Sequence, residues 1–84
     1  MTHRLDIHQQ DRSVVLEFQG LLDAGALAEL RASVALAREN GAGARIVLRA
    51  GTEVERCCLP ALRDIDAEVV AEAAYLASWL HDSR

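Results

Sequence analysis

The run from Val14 to Asp23 constrains the fold more than any other part of the chain. Residues 14–18 read Val-Val-Leu-Glu-Phe, a strong β-strand pattern. Gly20 then marks a bend, and Asp23 is a good N-cap for a helix. A strand that leads into a capped helix, with a second strand after it, is typical of a crossover between parallel strands, so the sequence predicts an α/β domain.

The helix predicted after Asp23 runs from Ala24 to about Glu39, where Asn40-Gly41 is a clear stop signal. Its apolar residues recur at helical spacing: Leu27, Leu30, Val34 and Ala37. Residues 41–44, Gly-Ala-Gly-Ala, are predicted to be a flexible connector, and residues 45–49 a short buried strand.

A hairpin is predicted before this unit and a short helix after it. Residues 4–9 alternate between apolar and polar, and the polar turn at 9–12 joins them to the strand at 13–18 as an antiparallel pair. Residues 51–56 are predicted to be a loop. Pro60 suits the first turn of a helix from about Leu59 to Arg63.

The last third of the chain permits two interpretations. A stripe at helical spacing favours one helix over about residues 67–81, and this is the prediction we prefer; the stripe comprises Leu62, Ile65, Val69, Ala73, Leu76 and Leu80. The alternative is a strand at residues 68–71 followed by a short helix at 75–80. Short apolar runs do not separate the two by periodicity.

The length of 84 residues allows one domain, residues 1–84, with one modest core. The expected fold is α/β: a small mixed sheet, made of the N-terminal hairpin plus a parallel strand, packed against two or three helices. Such a core gives only a few kcal/mol of stability, so a homo-oligomer is a reasonable expectation.

Charge and apolar patterning exclude several classes of function. The formal net charge is −4, and the nine basic residues are scattered arginines without an aromatic platform, which disfavours nucleic-acid binding. No apolar run approaches the roughly 20 residues that span a bilayer, and the N-terminus has no apolar signal segment. The two adjacent cysteines give no disulfide framework, so we expect a soluble cytoplasmic protein without membrane insertion.

Cys57-Cys58 is the most unusual local feature. The preferred interpretation is packing under a loop. A reactive thiol is second, since a helix that begins near Leu59 would place its N-terminus beside the pair. A metal site is third because it needs further ligands, and the histidines form no recognisable motif: His3, His8 and His81. We therefore predict no cofactor and no catalytic residue.

Two other groups of side chains receive structural interpretations. Asp64, Asp66 and Glu68 are interpreted as a solvated face or a helix N-terminus, because a small chain with few aromatic residues offers little pocket wall for acid–base chemistry. Tyr75 and Trp79 lie four residues apart and are predicted to form one aromatic patch, in the core or at a dimer contact. His3 and His81 are expected to be solvated, and His8 to lie on the polar face of the first strand.

Residues 14–23 and the helix start at 24–30 resemble the opening of STAS domains. This family includes bacterial anti-sigma factor antagonists and the cytosolic domains of sulphate transporters. Residues 46–48, Ile-Val-Leu, are similar to the family's next strand, and residues 54–62 can be aligned with its signature segment. The family's last strand and helix would then occupy residues 64–84.

The signature segment departs from the family pattern. Glu55 stands where the family has Asp, Arg56 and Cys57 stand where it has phosphorylatable hydroxyl residues, and Cys58 replaces Gly. A kinase has no acceptor there, so the charge switch of phosphorylation is missing. The resemblance implies a non-enzymatic module that binds a protein through Glu53, Glu55, Arg56, Cys57 and Cys58, either constitutively or under another signal.

The partner implied by the resemblance is an anti-sigma factor or kinase-like protein, a transporter subunit or a scaffold. Two alternatives come from other classes of function. A self-assembling scaffold would make a homo-oligomer through a tail stripe with Trp79; this tail stripe consists of Val69, Ala73, Leu76 and Leu80. A thiol redox sensor would use Cys57 or Cys58.

Overall fold

The computed structural model describes residues 3–82, with the backbone alone for Trp79, His81 and Asp82. The strands are β1 Arg4–Gln10, β2 Ser13–Gln19, β3 Leu21–Leu22, β4 Gly43–Leu48, β5 Glu53–Val54 and β6 Glu68–Ala71; the helices are α1 Ala24–Glu39, α2 Leu59–Asp64 and α3 Ala74–Asp82. A 3-10 turn, Arg56–Cys58, leads directly into α2. No helix within residues 3–82 is long and apolar enough to cross a membrane.

The main sheet has the strand order β1-β2-β4-β6. β1 pairs antiparallel with β2, while β2, β4 and β6 run parallel to one another. This arrangement confirms the predicted α/β class, with an N-terminal hairpin extended by parallel strands. The short strands β3 and β5 form a separate parallel pair, with Leu21 opposite Glu53 and Leu22 opposite Val54.

Local signals fix both ends of α1 as predicted. The Asp23 carboxylate accepts a hydrogen bond from the Ala26 amide at 2.9 Å, which satisfies one of the unpaired amides of the first turn. At the other end Gly41 has a φ of 73°, a left-handed conformation that glycine adopts without strain. Gly20, with a φ of 119°, likewise lets the chain bend between β2 and β3.

Two predicted loops contain strand residues. The connector predicted at 41–44 is wrong in its second half, because β4 already begins at Gly43, whose amide donates to the Arg12 carbonyl at 2.9 Å. The loop predicted at 51–56 contains β5 and the first residue of the 3-10 turn. The helix predicted from Leu59 to Arg63 is confirmed as α2, with Pro60 in its first turn.

The tail is a strand followed by a helix, so the preferred single helix over residues 67–81 is wrong and the alternative is right. β6 pairs with β4 through the register Arg45–Glu68 to Leu48–Ala71. Val69 and Ala71 pack against the core while Glu68 and Val70 are exposed. Pairing with an existing strand therefore decides a segment whose own apolar pattern is ambiguous.

The core lies on one face of the main sheet. The register aligns Leu16 with Ile46 and Phe18 with Leu48, and all four side chains are buried. The helices contribute Leu27, Leu30, Val34, Leu62 and Leu76 to the same cluster. Because side chains alternate along a strand, the opposite face carries the intervening residues, among them Glu17 and Arg45.

Candidate functional site

The segment from Glu53 to Cys58 follows β4 and is held by backbone hydrogen bonds. The Glu53 amide donates to the Gly20 carbonyl at 3.0 Å, and the Glu55 amide donates to the Leu22 carbonyl at 3.0 Å. These bonds tie the segment to β3, which leads into the Asp23 cap of α1. The five predicted residues belong to one short segment of the sequence, and the structure places this segment beyond the carboxyl ends of the parallel strands, where ligands usually bind in α/β folds.

Thr52 anchors the start of this segment and was not singled out in the sequence. Its side chain is 2 % exposed, and its hydroxyl donates to the Phe18 carbonyl at 3.1 Å. Its own carbonyl accepts a hydrogen bond from the Tyr75 hydroxyl at 3.2 Å. A single threonine after Gly51 carries no pattern that marks it as buried, since both partners are distant in sequence.

Four of the five predicted residues face solvent and the fifth lies beneath them. Glu53, Glu55, Arg56 and Cys57 are exposed. Cys58 is 2 % exposed and belongs to the hydrophobic core. The packing interpretation of the cysteine pair is therefore right for Cys58 and wrong for Cys57.

The two thiols and one carboxylate form a compact group. The Cys57 and Cys58 sulfur atoms are 3.8 Å apart, and Cys57 Sγ is 4.0 Å from Glu55 Oε1. All three potential ligand atoms lie within 4.8 Å of one another. Both cysteines are free thiols, since a disulfide would require a sulfur–sulfur distance of about 2.05 Å.

Burial raises the pKa of the Cys58 thiol from 9.0 to about 11. The neighbouring Cys57 adds to this rise through a hydrogen bond and through its charge, and the carboxylates of Glu55 and Asp23 add smaller repulsions to a thiolate. Cys58 therefore stays protonated near neutral pH and is a poor nucleophile.

Asp64, Asp66 and Glu68 are exposed, which agrees with the predicted solvated face, and the ion pairs at this face are a finding of the structure. Asp66 pairs with Arg38, and Glu68 pairs with Arg45 at 2.9 Å on the face opposite the core. Glu72 accepts hydrogen bonds from the Ala50 amide at 2.8 Å and from the Arg49 side chain at 3.2 Å. The hydrogen bond from the Ala50 amide, together with the positive charge of Arg49, lowers the pKa of Glu72 below its usual 4.5.

The histidines have different surroundings. His3, expected to be solvated, is half-buried: its ring stacks on Phe18 with centroids 5.2 Å apart, and its Nε2 lies 3.0 Å from a Glu29 oxygen. His8 lies on the polar face of β1 as predicted, 3.2 Å from Glu17. The prediction for His81 falls outside the described side chains.

Tyr75 is not part of the core. Its side chain is 62 % exposed, and its hydroxyl reaches the Thr52 carbonyl. The Trp79 half of the predicted aromatic patch lies outside the described side chains.

No protein-family model matches the chain, and no curated protein matches it either.

Proposed function

We propose that this chain is a non-enzymatic, STAS-like interaction module of the cytoplasm that binds a protein partner through the 53–58 surface. This surface consists of Glu53, Glu55, Arg56, Cys57 and the buried Cys58 beneath them. The observation that carries the proposal is the presence of three exposed charged residues on a segment after β4 whose backbone is held to Gly20 and Leu22 by hydrogen bonds. A preformed surface binds with less loss of conformational entropy than a mobile loop.

The tail also supports the proposal. The STAS resemblance needs a last strand and a last helix within residues 64–84. β6 and α3 fit into this short stretch. The capped start of α1 at Asp23 matches the part of the chain in which the resemblance is most specific.

Binding is proposed to be independent of serine or threonine phosphorylation at this surface. The only hydroxyl residue immediately before it, Thr52, is buried and bonded to the Phe18 carbonyl. Two carboxylates and one guanidinium give the surface a fixed acidic excess. A complementary partner would carry basic groups opposite Glu53 and Glu55. Such charge pairs speed the association of two proteins and fix their relative position in the complex. Anti-sigma or kinase-like proteins, transporter subunits and scaffolds are the classes proposed.

The two other functions have weaker support. The tail stripe proposed for self-assembly is used inside the chain, because Leu76 is buried and both Val69 and Ala73 pack against the core. The redox-sensor function loses support at Cys58, whose raised pKa disfavours the reactive thiolate.

Affinity capture from native lysate with charge-reversal variants tests the proposal. Glu55→Arg reverses the charge at the centre of the 53–58 surface, where the Glu55 carboxylate lies 4.0 Å from Cys57 Sγ. Glu39→Arg is the matched control: the same charge change at an exposed residue, at the far end of α1 and about 22 Å away along the helix.

Glu55→Arg is expected to lose a partner that wild type and Glu39→Arg both retain. The loss expected for a charge reversal in an interface is about 10-fold or more. Equal capture by all three proteins would contradict the proposed surface. Circular dichroism of each variant verifies that the fold is intact.

A further inference from the structure

We propose that Glu55, Cys57 and Cys58 form a three-ligand site for a thiophilic divalent cation, with Zn²⁺ as the occupant. The ligand atoms are two sulfurs and one carboxylate oxygen, all within 4.8 Å of one another. Among the residues described, no other group of three such side chains is gathered this closely. Thiolate and carboxylate ligands in tetrahedral sites are typical of zinc.

The distances match one tetrahedral ion. Two sulfurs at 2.3 Å from a zinc ion, at a tetrahedral angle, are about 3.8 Å apart. The Cys57 and Cys58 sulfurs are 3.8 Å apart in this structure. A sulfur and a carboxylate oxygen on the same ion are about 3.6 Å apart, and Cys57 Sγ lies 4.0 Å from Glu55 Oε1. Two of the three distances are therefore within a few tenths of an ångström of those in a ligand set, and the third, from Cys58 Sγ to Glu55 Oε1, is no longer than 4.8 Å.

The short distance between the two sulfur atoms does not follow from the backbone conformation alone. Cys57 and Cys58 are neighbours in a 3-10 turn, where consecutive side chains point about 120° apart. Their sulfurs nonetheless lie within contact distance. Cys58 forms the buried floor of the group while Cys57 and Glu55 are at the surface, so an ion would be reached from solvent.

The geometry leaves one coordination position for water or for a group from another molecule. Three protein ligands with one open position are typical of zinc sites that exchange a ligand. Both thiols, including the protonated Cys58, release their protons when the ion binds, so the net charge of the site does not change. The bound ion would engage the Glu55 carboxylate, which the 53–58 surface otherwise presents to a partner. The cation would thus change the surface that the proposed function uses, although binding of the ion itself requires no partner.

The test is metal titration of the isolated, reduced full chain, with Zn²⁺ in competition with a chromophoric chelator and Co²⁺ as the spectroscopic probe. The wild type is expected to bind one ion per chain. The cobalt form is expected to show the intense d–d bands of a tetrahedral ion and a sulfur-to-cobalt charge-transfer band. Cys57→Ser, at an exposed position that leaves the core intact, should weaken binding by at least about 10-fold and reduce the charge-transfer band.

Glu55→Gln and Glu53→Gln form a matched pair that removes the same charge from neighbouring residues. Glu55→Gln should weaken binding while the charge-transfer band is retained, and Glu53→Gln should bind as wild type does. The site is overturned if no ion binds, if cobalt shows no sulfur band, or if Cys57→Ser binds as tightly as wild type. Since no partner protein is present, failure here is distinguishable from failure of the proposed interaction.

Discussion

Cys57 and Cys58 are chemically identical neighbours in different environments. One thiol is exposed and the other is 2 % exposed in the core, where burial holds its pKa near 11. Reactivity of a cysteine depends on access and on the thiolate fraction, and burial lowers both for Cys58. The pair therefore behaves as one surface thiol and one core residue.

Thiol labelling of the folded, metal-free chain at pH 8 tests this difference. We expect Cys57 to react at once and Cys58 only at the rate at which the chain opens, measured by mass spectrometry. Cys57→Ser should abolish the fast phase and leave the slow one. Simultaneous rapid labelling of both thiols would contradict the buried position of Cys58.

Whether a contact can be predicted from the sequence depends on how far apart its two residues lie along the chain. The Asp23 cap depends on an amide three residues away, so the local sequence suffices to predict it. The stacking of His3 on Phe18 and the bond from Thr52 to Phe18 join residues far apart in sequence. Such contacts exist only after the sheet has formed, and no local sequence pattern predicts them.

At the scale of elements, α1 is predictable and the tail is not, for a physical reason. α1 has sixteen residues, an N-cap and a stop signal, which agree with its apolar stripe. β6 has four residues, and its pairing with β4 decides its conformation. The stripe that suggested one helix combines Val69 of β6 with Leu76 of α3, which reach the same core from different elements.

A matched pair of leucines tests the role of α3 in the core. Leu76 is 3 % exposed and Leu36, on α1, is 59 % exposed. We expect Leu76→Ala to lower the free energy of unfolding by about 2–5 kcal/mol, because it leaves a cavity in the core. Leu36→Ala should change it by no more than about 0.5 kcal/mol. Urea denaturation measures both, and equal effects would contradict the docking of α3.

Acid sensitivity is expected at the junction between β6 and the loop after β4. The pKa of Glu72 is lowered in the folded chain, mainly by the Ala50 amide. A lowered carboxyl pKa stabilises the fold above the unfolded value of 4.5 and loses that contribution as pH falls through the folded value. Denaturation at several pH values should show a steeper loss of stability below 4.5 for wild type than for Glu72→Gln. Identical slopes would contradict the role given to this contact.

Across the whole molecule, the two faces of the main sheet are built differently. The helices contribute side chains to the core on one face. The other face carries ion pairs, including Arg49 with both Glu17 and Glu72 and Arg45 with Glu68. The alternation of apolar and polar residues makes this division predictable in part, whereas the partners of each charge depend on strand order. Neither face contains the exposed charged segment after β4, which is the surface proposed to bind a partner.

Photo-crosslinking in cells that make the protein tests whether the 53–58 surface contacts a protein partner. A photoreactive residue is placed at Arg56, and separately at Leu36 on the exposed side of α1 as the control. We expect a discrete protein adduct from position 56 and none from position 36. Adducts from position 36 with none from position 56 would contradict the proposed contact.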